Sequence, residues 1–144
     1  MTRLVTGLAL SFLLFPVSIN AQDNKAPSDD SSAIQATVRS YIEGYYTGDA
    51  ARMQQSLHPH YLKHMIHGDF PMREKSGSEM VQEVRSHGAS DLPRAERTEQ
   101  ISVLDISGDI ASAKLVAAHW VDYMTLSKVD GQWKILSVVQ RIDN

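Results

Sequence analysis

The chain contains no cysteine. No disulfide can form, no lipid can be attached to a cysteine at a leader cut, and no Cys/His pair exists for nucleophilic catalysis. The fold must therefore hold by its core alone. No apolar run reaches the roughly 20 residues that a membrane span needs. Basic residues are scattered rather than clustered, and the formal charge is −3. That mild acidity argues against a nucleic-acid groove, which requires a basic stripe. There is no phosphate loop, dinucleotide fingerprint or nucleophile elbow, and neither an internal repeat nor a low-complexity tract.

What is present begins with an address. Met1-Thr2-Arg3 carries one basic residue, residues 4–15 are an apolar run, Pro16 breaks it, and Ala21 offers a small residue for cleavage. This is the layout of a secretory signal peptide. The expectation is a periplasmic or secreted protein with no stable membrane insertion after cleavage. Residues 22–30 are polar, contain Pro27 and three acids, and read as a disordered lead-in. Residues 31–144 then form a single domain.

Helical signals come first. Ser32 and Gln35 have capping-box spacing, and Ile34, Val38, Tyr41, Ile42 and Tyr45 share one helical face. Gly48 ends that helix and Asp49 caps a short second one, with Met53 and Leu57 inward and Pro59 as its stop. Residues 61–67 read as a short strand or linker, and residues 68–75 as loop. Ser76 and Glu79 form another capping box, for a third helix on Met80, Val81 and Val84 that ends at Gly88. Three β-rich runs follow, 101–107, 110–127 and 133–142, with turn signals at Gly108-Asp109 and Asp130-Gly131. Helices first and an antiparallel meander last define an α+β class, with the helices across one sheet face.

The Asp130-Gly131 turn sets a register. It pairs Leu126 with Ile135, Met124 with Ser137, Asp122 with Val139, and Trp120 with Arg141, all on one face with Trp133 beside Lys128. That face is the more apolar and is assigned to the concave interior. The opposite face carries Tyr123, Leu136 and Val138, an apolar surface that suggests a two-fold dimer. One inconsistency stands. Leu104, Ile106, Ala111, Ala113 and Leu115 fall on the wrong face when the count runs straight through. Either that end packs differently or a bulge near residues 117–120 resets the alternation.

The sequence resembles the nuclear transport factor two-like superfamily, and within it the family labelled "putative lumazine-binding". The matching residues are Tyr41-Ile42-Glu43-Gly44-Tyr45-Tyr46-Thr47-Gly48-Asp49-Ala50, Leu57-His58-Pro59 with Leu62-Lys63, Ser107-Gly108-Asp109-Ile110-Ala111-Ser112-Ala113, Val121-Asp122-Tyr123-Met124 and Val129-Asp130-Gly131-Gln132-Trp133-Lys134-Ile135. The resemblance implies a cone-shaped, curved antiparallel sheet packed on three helices, a cystatin-like α+β roll. It also implies a pocket at the open end and a homodimer formed through the sheet. The superfamily holds isomerases, dehydratases, cyclases and binding modules, so fold does not select a function. No catalytic motif of the isomerases carries over to this chain, which has Gln140 and His64 where aromatic and basic residues are common in similar sequences.

Several clusters invite chemistry. His58, His60, His64 and His67 lie close together, and His60 and His64 have metal-ligand spacing on a helix. Pro59 argues against a helix there, and an extended segment would split the set. The simpler reading has His58 capping a helix end, His60 and His67 solvated, and His64 partly buried, with no metal. Asp122 among apolar neighbours would have a raised pKa suited to proton transfer, with His64 as its partner. Alternatively it is a structural carboxylate bonded to Tyr45, Trp120 or backbone. Tyr41, Tyr45, Trp120, Met124, Trp133 and Ser137 are the candidate pocket residues. Arg141 over Trp120 and Lys128 over Trp133 are candidate cation–π pairs. The expected function is binding of a small apolar ligand without a cofactor, the alternative an acid–base enzyme built on Asp122.

Overall fold

The computed structural model describes residues 29–143. The expected signal peptide, residues 1–21, and residues 22–28 of the expected lead-in lie outside them. Three helices, α1 (Asp29–Thr47), α2 (Ala50–Ser56) and α3 (Gly77–His87), pack on a six-stranded sheet. The strands are β1 (Leu57–Ile66), β2 (Arg73–Ser76), β3 (Glu99–Ser107), β4 (Ile110–Ala117), β5 (Trp120–Val129) and β6 (Gln132–Ile142). Their order is β2-β1-β6-β5-β4-β3. Every pairing is antiparallel except β1 with β6, which is parallel. The α+β cone read from the sequence is present.

Local chemistry explains the helix ends. Gly48 closes α1 at φ 75°. Asp49 caps α2 by accepting from the Arg52 amide at 2.9 Å. Ser76 and Glu79 form a reciprocal capping box on α3, and Gly88 ends it at φ 69°. The start of α1 differs from the reading above. Asp29 and Asp30 are already helical, so Ser32 lies inside the helix rather than at its cap. The cause is tertiary: Asp30 accepts from the Trp133 indole at 2.9 Å and pairs with Lys128 at 2.7 Å, which ties the first turn to the sheet.

The core lies between α1 and the concave sheet face. Ile34, Val38 and Ile42 of α1 are fully buried against Ala113, Leu115, Leu126, Ile135 and Val138. Parity in β5 is as expected, with Asp122, Met124 and Leu126 inward and Tyr123 outward.

Two features change the rest. The run 110–127 is not one bent strand. It reverses at Ala118-His119, and Ala111, Ala113 and Leu115 then face Leu126, Met124 and Asp122 directly. This removes the inconsistency for β4; Leu104, at a register shift in β3, is exposed. In β6 a bulge at Leu136 adds one residue. Trp133 and Ile135 point inward as expected, but beyond the bulge it is Val138 and Gln140 that are buried. Asp122 therefore opposes Gln140, not Val139; Met124 opposes Val138, not Ser137; and Trp120 opposes Ile142, not Arg141. Val138 leaves the outer face for the core.

Gly48 is a sensitive point. A Cβ there would stand 2.4 Å from the Gly88 carbonyl carbon, where α1 meets the end of α3. The left-handed backbone alone costs an L-residue about 1–2 kcal/mol. Gly48→Ala is expected to lower the unfolding free energy by at least that much in a denaturant titration, whereas Gly131→Ala, with open space around its Cβ, incurs only the backbone cost.

Candidate functional site

Asp122 lies on the concave face with no exposed surface. No donor meets hydrogen-bond geometry at either of its carboxylate oxygens among the described residues. The cation beside it is Lys63, whose Nζ stands 3.8 Å from Oδ1. Lys63 is only 4% exposed, and its Nζ hydrogen-bonds the Tyr41 hydroxyl at 2.9 Å. Tyr61, two residues earlier on the same inward face of β1, has a buried hydroxyl that also meets no partner among the described residues. Four titratable groups thus meet on the cone floor.

Burial dominates their electrostatics. It pushes the Asp122 carboxyl above its ordinary value; the Lys63 ammonium offsets part of this, and the nearby side chains of Gln140 and Trp120 favour the carboxylate more weakly. Burial likewise pushes Lys63 below its ordinary value, opposed by Asp122 and reinforced by Lys75. The Tyr41 and Tyr61 phenols are both raised, chiefly by desolvation.

A cavity of about 270 Å³ opens above this floor, and Lys63, Tyr41, Tyr45, Trp120 and Gln140 line it. Tyr45 and Trp120 form one wall, edge to face at 5.7 Å between ring centroids. Arg73 and Lys75 from β2 and Glu83 from α3 line it as well. Lys75 and Glu83 form an ion pair. The lining is more charged than the sequence suggested. Asp122 is not among the lining residues; it sits one layer behind Lys63, Trp120 and Gln140. A larger groove of about 930 Å³ runs along α2, α3 and β1 past His58, Val81 and Arg85. It has no buried ionisable group, so it offers shape without chemistry.

The other candidates fall elsewhere. His64 points to the opposite side of β1 from Lys63 and pairs with Glu74 at 3.1 Å, so it is not the partner of Asp122. Met124 is core, 3% exposed. Trp133 lies at the far end of the cone on Asp30, with Lys128 5.1 Å above its ring as expected. Ser137 pairs with outward-facing Thr125 because of the bulge. Arg141 pairs with Asp143 rather than Trp120. His58 accepts from the His60 amide at 2.9 Å within β1 and caps no helix end. Among the described residues, no group of His, Asp and Glu could hold a metal ion. Lys63 was missed, although it alternates with Tyr61 and Met65, which is the signal that would have placed it inside.

A curled, unclosed sheet over three helices with a cavity at its open end defines the nuclear transport factor two-like class. Solved structures share the fold. A protein of unknown function from Silicibacter pomeroyi with this fold is 18% identical over 82% of this chain and 99% of its own, with a TM-score of 0.67. A ketosteroid isomerase-like protein from Erwinia carotovora atroseptica is 13% identical over 81% of this chain and 98% of its own, with a TM-score of 0.57. One from Novosphingobium aromaticivorans with a cystatin-like fold is 12% identical over 79% and 82%, with a TM-score of 0.56. Residues 29–140 match the family described as "Putative lumazine-binding", and the chain belongs to that family. No curated protein matches the sequence. The family description suggests a ligand-binding or enzyme domain.

The buried pair gives two expected outcomes. Lys63→Met strands the Asp122 carboxylate and costs about 3–5 kcal/mol, while Lys63→Met with Asp122→Leu recovers most of the loss in a double-mutant cycle. The raised Asp122 carboxyl binds a proton in the folded state at pH values where the unfolded one has lost it. Its contribution is fully present below the ordinary carboxyl value and is lost as pH rises through the folded one. Relative to Asp122→Asn, wild-type stability should fall with rising pH across that window in urea titrations.

Proposed function

We propose that this protein is an exported small-molecule-binding domain whose ligand sits in the open end of the cone. The observation that carries this reading is a buried amine, Lys63, on the floor of a cavity walled by Tyr45 and Trp120. A few convergent polar groups within an aromatic and apolar lining are how ligand sites are built. The volume, about 270 Å³, lies just below the roughly 300–1,000 Å³ of drug-sized sites, so the ligand is compact. An adjoining recess lined by Met65, Phe70, Pro71 and Ile142 together with His67 and Arg73 extends the site with mostly apolar surface. The ligand we infer has an acceptor oxygen directed at Lys63 and a flat or apolar body against Trp120.

The acid–base enzyme built on Asp122 is the alternative, and its unpartnered oxygens favour it. Its weakness is position, since Lys63, Trp120 and Gln140 stand between the carboxylate and the cavity. We also propose a homodimer through the outer sheet face, where Tyr123 and Val139 are neighbours, 53% and 45% exposed. Export would follow from the leader.

Thermal-shift screening against compact aromatic and carbonyl compounds should find a ligand whose stabilisation grows with concentration. Trp120→Ala should weaken that ligand at least about tenfold, while Tyr123→Lys should leave it unchanged and yield a monomer in sedimentation velocity. Protein recovered from a secreting host should begin at Gln22. An Asp122→Asn variant that binds as well as wild type supports binding over catalysis by that carboxylate.

A further inference from the structure

Lys63 and Lys75 are direct cross-strand partners in the antiparallel β1–β2 pair. Like charges placed directly opposite are destabilising, yet both side chains line the same cavity. Lys75 is compensated by Glu83 at the rim. Lys63 is buried, 3.8 Å from Asp122 and 2.9 Å from the Tyr41 hydroxyl. A desolvated amine next to a second amine, with a phenol in hydrogen-bond contact, is the arrangement that turns a lysine from a counter-ion into a nucleophile.

We propose that Lys63 captures a carbonyl ligand, condensing with a bound aldehyde or ketone to give an imine and water. The reading rests on the binding site proposed above and specifies the class of its ligand. The Lys63 nitrogen lone pair attacks the carbonyl carbon, the C–N bond forms, and the carbonyl π electrons move to oxygen. The oxygen takes a proton and the nitrogen loses one, giving a carbinolamine. Tyr41 then donates a proton to the departing hydroxyl, water leaves as the C=N bond forms, and the phenol recovers the remaining nitrogen proton. No oxidant, reductant or other co-reactant enters.

The surroundings suit the attack and the product. Only the neutral amine attacks, and desolvation favours that form, as does Lys75; Asp122 and Glu83 oppose it. Asp122, one layer behind, balances the positive charge of a protonated imine. Tyr61 faces the same floor, and its raised phenol remains protonated. The Tyr45–Trp120 wall receives the flat part of an unsaturated carbonyl compound.

The test is reductive trapping on the purified full chain at pH 7, with 4-hydroxybenzaldehyde and sodium cyanoborohydride, read by peptide mapping. Lys63 should be labelled at least about tenfold faster than Lys114, Lys128 or Lys134, none of which lines the cavity. Tyr41→Phe should slow labelling of Lys63 by about tenfold or more and leave Lys114 unchanged. Equal labelling of all lysines overturns the proposal. A parallel thermal shift with 4-hydroxybenzyl alcohol, which has the same ring without the carbonyl, separates the two claims. Stabilisation by the alcohol without selective labelling sinks the covalent step and leaves the binding site standing. Neither stabilisation nor labelling counts against both.

Discussion

The extra residue at Leu136 organises this fold. Below it Trp133 and Ile135 face the helices; above it Val138 and Gln140 do. A strict alternation would instead drive Val139 and Arg141 inward and put a guanidinium in the core. A bulge also sharpens the local twist, which helps curl the sheet into a cone. The neighbouring β1 breaks at the same level. Leu57 pairs with Ile135 and Leu62 with Ser137, so five steps along β1 match two along β6. Pro59, which has no amide proton to give, sits in that arch. Both strands resume in register above the break, with Lys63 beside Val138 and Met65 beside Gln140. The cavity occupies this upper half.

What the upper half holds is energetically odd. Tyr41, Tyr61, Lys63 and Asp122 are all buried, and the charged pair is too far apart for a direct hydrogen bond. Buried ion pairs rarely stabilise relative to apolar residues of equal volume. Here the geometry is loose and several polar atoms are unmatched, so the cluster works against stability. Local rules broken without a structural return are expected at functional sites. Lower in the cone, the contrasting polar contacts of Asp30 with Trp133 and Lys128 are tightly matched and fasten α1 to the sheet.

Much of this architecture was legible because its signals are local. The Ser76–Glu79 capping box, Gly48, and the turns at Gly108 and Asp130-Gly131 each state their geometry in two to four residues. What stayed hidden depends on tertiary partners. The reversal at Ala118-His119 carries no glycine or proline. Strand β2 is Arg-Glu-Lys-Ser, an edge strand without apolar alternation. The Leu136 bulge has no residue signature, and from it follow the misplacement of Ser137, Val138 and Arg141. Lys63 is hard to read as an interior residue because lysine is almost never fully buried. His64 drew attention as a titratable group, yet a strand gives alternate residues to opposite faces, and its neighbour was the one turned inward.

The charge balance around the cavity narrows what can enter it. Three cations line it, but Lys75 is paired with Glu83, and Lys63 is backed by Asp122. Arg73 has no ion-pair partner among the described residues. The position of Lys75 is fixed by its place immediately before Ser76, where the capping box joins β2 to α3, and Glu83 lies further along that same helix. The rim is therefore a preassembled strand–helix unit that carries its own neutralising charge. A multiply charged anion such as a phosphate monoester would meet Arg73 as the one unpaired cation among the described lining residues, and would gain a second only by displacing Glu83 from Lys75. A neutral carbonyl or a single carboxylate needs no such rearrangement, and its apolar body can rest on Trp120. Electrostatics and shape thus agree with the compact, weakly charged oxygen compound proposed as the ligand.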